Sequence, residues 1–338
     1  MTAPRKPPTM SDVARLAGVS SMTVSRAFRQ NGSVTSSTQA AILAAAEELG
    51  YVFDTTASNL RSQRSNFVGA IIPSLNNANF AETVGGLSDG LKARSLQILL
   101  GYTNYDVVEE ERLIEQMLRR KPEAIVLTGG RHTDRARKLL RFASIPVIET
   151  WDIPEAPIGH VVGFSNAKSV MGLVDHCVSR GLKRIAFLGG DSIRDSRGAE
   201  RRAGFVTAMT AHGLDATRLV AAGEPPISMR EGTAAMKWLL ANLPDTEAVI
   251  CVSDLSAFGA LTECQRQRVE VPGQIWIMGF GDYEIGSVSV PRLTTVNPFP
   301  RRIGERAADL VLDILDQRQT EPAIIEIFPE VLVRESSG

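Results

Sequence analysis

The chain has 338 residues, 43% of them hydrophobic and 22% charged, which gives room for a small domain plus two of ordinary size around a large core. Net charge is −1, yet residues 1–65 carry seven Lys/Arg against four acids, +3, and leave −4 for the rest. A basic head on an acidic body suits contact with phosphates at one end only. The three cysteines, Cys177, Cys251 and Cys264, stand at no metal or redox spacing, and no segment reads as a signal peptide or membrane span, so buried free thiols in a cytoplasmic protein are expected.

Residues 1–8 are Pro-rich and basic, the composition of an arm that orders near DNA. Thr9 and Asp12 then form a capping-box pattern. Val13, Leu16 and Ala17 give the first helix an apolar face. Gly18 permits a turn, Val19 plugs the corner, and Ser20 caps a second helix from Ser21 to about Gln30. Val24, Ala27 and Phe28 face inward there, so Ser21, Met22, Ser25, Arg26 and Arg29 face out. An ordinary helical hairpin fits this stretch. A helix-turn-helix whose second helix enters the DNA major groove fits it better, because the outer face is small, polar and Arg-bearing. Thr9, Ser20, Thr23 and Ser25 are hydroxyl donors suited to phosphates. A third helix, capped by Thr35 and ending at Gly50, has Ile42, Ala46 and Leu49 on its inner stripe. Ala57–Arg61 makes one helical turn at most, too short to be stable alone. Its Leu60 either contacts the next domain or wedges into the minor groove.

From Asn66 the pattern becomes strand–helix alternation. Strands are expected at 68–72, 97–102, 124–128, 147–150, 184–189, 248–252 and 276–279. Helices are expected at 80–94, 107–120, 133–143, 166–180, 199–212, 229–242 and 255–267, followed by a last helix at 301–317 and short strands between 323 and 333. This grammar predicts parallel sheets with helices on both faces, in two similar halves divided near Pro154 to Gly163. The expected division is a headpiece over 1–56, a linker over 57–65 and a core over 66–338. Within the core, one subdomain takes about 66–160 and 293–320, the other about 161–292 and 321–338. Ligands of such sheets sit beyond the carboxyl ends of the strands. That rule selects the loops at 74–80, 128–132, 149–152, 191–201, 253–254 and 281–282, and within them Ser74, Asn76, Asn79, Phe80, Thr128, Glu149, Arg201, Ser253, Asp254 and Asp282 as effector-binding candidates.

The ordered set S11-D-V-A-R-L-A-G-V-S-S-M-T-V-S-R26, A44-A-A-E-E-L-G-Y51, N59-L-R-S62, G181-L-K-R-I-A-F-L-G-G190, R201-R-A-G-F205, S253-D254 and I277-M-G-F280 resembles the lac repressor family of bacterial transcription regulators over nearly the whole chain. P73-S-L-N-N-A-N-F-A-E82, G101-Y-T-N-Y105, E109-E-E-R-L113 and E263-C-Q-R266 look most like its gluconate-operon repressor subgroup. The resemblance implies an all-α helix-turn-helix headpiece on a periplasmic-binding-protein-like α/β core of two doubly wound parallel-sheet subdomains joined by three crossovers. It implies a homodimer reading a pseudo-palindromic operator, with a small effector in the cleft. The family's tetramerising members carry an extra C-terminal leucine-heptad helix; none is present before Gly338, so a dimer is expected.

By the same resemblance Ser21, Met22 and Arg26 fall on base-reading positions, Leu60 on the minor-groove wedge and Arg201 on the effector-gripping arginine. Arg26 has the geometry for a bidentate guanine contact, the alternative being a phosphate. Arg201 suits a carboxylate or vicinal hydroxyls; the alternative is a surface ion pair beside Glu200 and Arg202. Three positions depart from the family. Its usual Asp is Gly281 here, with Asp282 following as a possible substitute. An aromatic position is Ile227. The usual Pro-Asn after Tyr51-Val52 is Phe53-Asp54, which predicts a looser hinge. Loss of a fixed carboxylate with Arg201 retained favours an anionic effector, a sugar acid such as gluconate or a sugar phosphate, over a neutral sugar. No enzyme constellation is present: His132, His160, His176 and His212 fall at no metal spacing, and no G-x-S-x-G or Walker loop occurs. No catalytic residue, metal or cofactor is expected. The other classes kept open are a solute-binding protein and a sugar-modifying enzyme with a DNA-binding head.

Overall fold

The computed structural model describes residues 6–28, 34–53, 65–190 and 194–338. Two compact units divide the chain, residues 1–64 and 65–338. Among the described residues no helix is long and apolar enough to cross a membrane.

The first unit holds α1 (Met10–Leu16), α2 (Ser21–Ala27) and α3 (Ser36–Leu49). Each starts on a hydroxyl cap, from Thr9, Ser20 and Thr35, and the Thr9–Asp12 capping box is complete. Its core is Val13, Ala14, Val24, Ala27, Ile42, Ala45 and Ala46. Leu16, expected inside, is 47% exposed. Three residues along a helix turn it about 300°, so Leu16 lies on one flank of Val13 and Ala14 on the other; the packing of α2 and α3 covers Ala14. Phe53 stacks on Phe28 with ring centroids 4.9 Å apart, and Tyr51 meets Phe28 edge-on. The residue that replaces the family's proline thus pins the chain to the headpiece. Arg29, Leu60 and nearly all of the expected hinge lie outside the described residues.

The second unit is built on two parallel sheets. The first, in order β11-β5-β4-β3-β1-β2, comprises β1 (Phe67–Ile72), β2 (Gln97–Tyr102), β3 (Ala124–Thr128), β4 (Val147–Thr150), β5 (His160–Gly163) and β11 (Ile324–Glu326). The second, in order β7-β6-β8-β9, comprises β6 (Ile185–Gly189), β7 (Leu219–Ala221), β8 (Ala248–Cys251) and β9 (Trp276–Met278). β10 (Thr295–Asn297) and β12 (Glu330–Leu332) form an antiparallel pair. β1, β3 and β6 are apolar and buried nearly throughout, as strands covered on both faces must be. The covering helices are α4 (Ala78–Leu91), α5 (Val107–Leu118), α6 (Asp134–Phe142), α7 (Asn166–Ser179), α8 (Ser196–Ala211), α9 (Met229–Asn242) and α10 (Asp254–Gln267). Short α11 (Glu284–Val288) and long α12 (Pro300–Leu315) complete the set.

The chain passes between the sheets after β5, before α12 and after β11. α12 packs closely on α4 because Gly86 and Gly304 let the backbones touch: a Cβ on either would collide with the other helix's main chain. Hydrogen bonding corrects the expected subdomain limits in two places. Residues 160–162 pair with 148–150, and 161–163 with 324–326, in the first sheet, rather than joining the second half. β5 was hard to read because it is four residues long and follows a Pro- and Gly-punctuated stretch from Pro154 to Gly159. α8 starts three residues earlier than expected, and this matters for the site.

Candidate functional site

A pocket of about 140 Å³ lies between the two sheets, past the carboxyl ends of their strands. That is room for roughly ten water-sized positions, enough for a six-carbon sugar derivative. From the first half come Ser74, Asn76, Asn77, Asn79 and Phe80 after β1, Tyr105 after β2, and Trp151 after β4. From the second half come Asp195, Arg197 and Arg201 around the start of α8. Pro226, Ile227 and Ser228 follow β7, Val252, Ser253 and Leu255 follow β8, and Phe280 and Tyr283 follow β9.

Local chemistry fixes these groups. Asn77 caps α4, its Oδ1 accepting from the Asn79 N–H, and accepts the Tyr283 hydroxyl at 2.7 Å across the cleft. The Trp151 indole donates to Thr83 Oγ1 at 3.1 Å, and its ring edges meet Phe80 and Phe164, so one wall is aromatic and rigid. Arg201 donates to the Val252 carbonyl at 2.7 Å and the Arg197 carbonyl at 3.3 Å, and its guanidinium lies 4.1 Å from the Phe280 ring centroid. Burial lowers its pKa from the ordinary arginine value, the nearby Asp195 charge opposing. Arg197 stands one turn earlier on the same face, 5.6 Å from the Phe80 ring centroid, and donates to the Thr128 carbonyl at 3.3 Å. Gly129 makes that reach possible, since a Cβ there would lie 2.6 Å from Arg197 Nη1. Two arginines against one aspartate leave the lining with one net positive charge.

Of the effector candidates, Ser74, Asn76, Asn79, Phe80, Arg201 and Ser253 line the pocket together. Four do not. Thr128 lines a smaller neighbouring recess with Gly129 and Arg131. Glu149 is fully buried behind the site, accepting from the His132 ring at 3.3 Å and the Ile158 N–H at 2.6 Å. Asp254 is fully buried too, accepting the Thr295 hydroxyl at 2.6 Å and the Tyr283 N–H at 2.8 Å; burial pushes its pKa up to about 6 against those bonds. Asp282 turns to Arg334 and Asn297, at a φ of 52°, so it does not stand in for the missing family carboxylate. Gly281, at φ 128°, leaves the room that the Tyr283 ring occupies. Ile227 does lie in the lining, so no ring stacks there.

Sequence reading missed Asn77, Tyr105, Trp151, Asp195, Arg197 and Tyr283 as lining residues. Arg197 was missed because the helix was expected to start at 199; the earlier start of α8 puts it four residues before Arg201 on one helix. Tyr283 and Asn77 are 206 residues apart, and only the fold brings them together.

Behind Glu149 sits a buried charge cluster. His132 Nδ1 is 2.6 Å from Glu110 Oε1, and the ring is wholly covered. Burial disfavours the charged ring, but hydrogen bonds to Glu110 and Glu149 and their charges outweigh it and raise the pKa to about 9.

On the headpiece, Ser21, Met22 and Arg26 are exposed along α2, with Met22 64% exposed. Ser25 is half-buried. Thr9 and Ser20 cap their helices, the Thr9 hydroxyl donating to Asp12 at 2.6 Å, and the Thr23 hydroxyl lies 2.9 Å from that of Ser20.

Residues 9–54 match the family model of bacterial regulatory proteins of the lacI family, and residues 174–337 match the periplasmic binding protein-like domain. A transcriptional regulator from Pseudomonas aeruginosa, GntR, is 34% identical over 98% of this chain and 96% of its own. The chain belongs to the lacI family. The Escherichia coli K12 regulator IdnR is 32% identical, covering 90% of this chain and 91% of its own. A LacI-family regulator from Silicibacter pomeroyi superposes with a TM-score of 0.90 at 32% identity, over 98% of this chain and 99% of that one. This LacI-family member is therefore a DNA-binding transcription regulator with a ligand-binding core, and not an enzyme.

Proposed function

We propose that the protein is a homodimeric repressor that holds a pseudo-palindromic operator and leaves it when a sugar acid, of which gluconate is the first candidate, fills the cleft. The observation that carries this reading is the pair Arg197 and Arg201, one turn apart and both facing a sugar-sized pocket rich in amide and hydroxyl groups. Paired guanidinium groups suit a carboxylate, and Phe80 and Trp151 suit the apolar face of a carbon chain. The sequence resemblance to gluconate-operon repressors and the similarity to GntR and IdnR support the same choice. A sugar phosphate is the second anionic candidate.

Ligand contacts to both halves would add to those that already span the cleft: Tyr283 to Asn77, Arg194 to the Asn104 carbonyl, and Arg197 to the Thr128 carbonyl. The ligand shifts the population of operator-competent dimers only through its different affinity for the two states. The test is thermal unfolding of the full chain with gluconate, sugar phosphates and neutral sugars. A true ligand raises the melting temperature by linkage. A rise with the sugar acid alone is expected; a rise confined to a neutral sugar sinks the acid reading.

On DNA, Ser21, Met22 and Arg26 would face base edges and Thr9, Ser20, Thr23 and Ser25 the phosphates. Arg26→Ala is expected to cost about 1–3 kcal/mol per half-site at the operator and far less on random DNA. Equal loss on both, measured side by side at one salt concentration, would make Arg26 a phosphate contact only.

A further inference from the structure

Asp195 occupies the N-cap position of α8, where an aspartate ordinarily accepts a hydrogen bond from the helix's first free N–H groups. Here its side chain makes no such bond. One carboxylate oxygen, Oδ1, is buried and has no hydrogen-bond donor among the described residues; Arg197 Nη2, at 3.9 Å, is too far to donate to it. The other oxygen lies where a Cβ on residue 198 would stand, and Gly198 leaves it that room. The side chain lines the pocket. A buried acceptor without a donor is costly, and this one has given up its usual partner.

We propose that Asp195 is the specificity carboxylate of this pocket and takes the donated hydrogen of a ligand hydroxyl that lies next to the ligand's anionic group. Asp195 and Arg197 are two residues apart and Arg201 is one turn further, so acceptor and cations address neighbouring atoms of one ligand. The ligand class that satisfies both is a 2-hydroxy acid of the sugar series. An acid with only a hydrogen in place of that hydroxyl offers no donor and leaves the carboxylate unpaired. Sites built to hydrogen-bond a hydroxyl reject the analogue lacking it strongly. This inference rests on the sugar-acid reading above and narrows it.

The test is titration calorimetry of the full chain with D-gluconate and 2-deoxy-D-gluconate, for the wild type, Asp195→Ala and Asp195→Asn. Because Asp195 caps nothing, both variants are expected to fold, and their melting temperatures without ligand check this. The wild type is expected to prefer gluconate by at least about 100-fold. In Asp195→Ala gluconate weakens at least about tenfold while the deoxy acid holds or tightens, since a negative charge has gone, and the preference collapses. Asp195→Asn keeps an acceptor and is expected to retain part of the preference. If Asp195 only repels anions, both acids tighten together in Asp195→Ala with their ratio unchanged, and that result overturns the proposal while leaving the sugar-acid reading intact. A wild type that binds neither acid overturns both.

Discussion

Arg201→Met is expected to lose at least about 100-fold in affinity for the acid ligand while the protein stays folded. A charge-assisted hydrogen bond contributes about 1.5–3 kcal/mol, and the guanidinium has N–H groups to spare for two beyond those given to Val252 and Arg197. About 2.7 kcal/mol is the 100-fold expected. The stability change should be smaller, because the substitution removes a largely buried cation together with its desolvation cost, and methionine can fill the space against Phe280. Arg201→Lys keeps the charge without the planar fork and should fall between. Calorimetry with the acid, beside urea midpoints for both variants, separates binding from folding. Binding within about threefold of wild type would remove Arg201 from the site.

Glu149→Ala is expected to destabilise the core by about 3–5 kcal/mol, the cost of breaking a buried pair by removing one partner. The change leaves the covered His132 ring with only Glu110 and strips the Ile158 N–H of its acceptor. The same cluster makes stability depend on pH. His132 has a folded-state pKa of about 9, against 6.5 for a free histidine. Its contribution is fully present below pH 6.5 and is lost as pH rises through about 9. Wild-type urea midpoints should fall across that window. In Glu149→Ala the decline should be smaller and end at lower pH, because one of the two carboxylates that raise the folded-state pKa is gone while the unfolded value that sets its onset is unchanged. A loss under about 1 kcal/mol, with an unchanged pH profile, would show that the cluster carries no net stability.

These two residues show what the sequence could and could not disclose. Both fall in stretches that the open-sheet rule selects, yet Arg201, on α8, lines the pocket, and Glu149, at the end of β4, lies behind it. The rule finds loops; it does not say which way a side chain turns at the end of a strand whose faces alternate. Glu149 turns to a histidine 17 residues earlier, and Asp254 to a threonine 41 residues later. Asp282 was drawn away by Arg334, 52 residues on. Such long-range partners leave no local periodicity. The helices and long apolar strands were legible because their patterns are local, as in 67–72 or 229–242, and so was the capping box at Thr9. The short strands β5, β7 and β10 were not legible, each having three or four residues and no pattern of its own. Asp195 went unnoticed because the helix was expected to start at 199, which left it in the preceding loop; in the structure it is an N-cap residue without a cap bond.

The measurement that bears most directly on the proposed role is operator binding by the full chain, on DNA selected by the protein from a random pool, with and without gluconate at fixed salt. Release is expected, with affinity for the selected DNA weakened about 5–150-fold by the acid, and no such change in Arg201→Met. Undiminished affinity in the presence of an acid that calorimetry shows to be bound would contradict the coupling between cleft and headpiece, whatever the pocket holds.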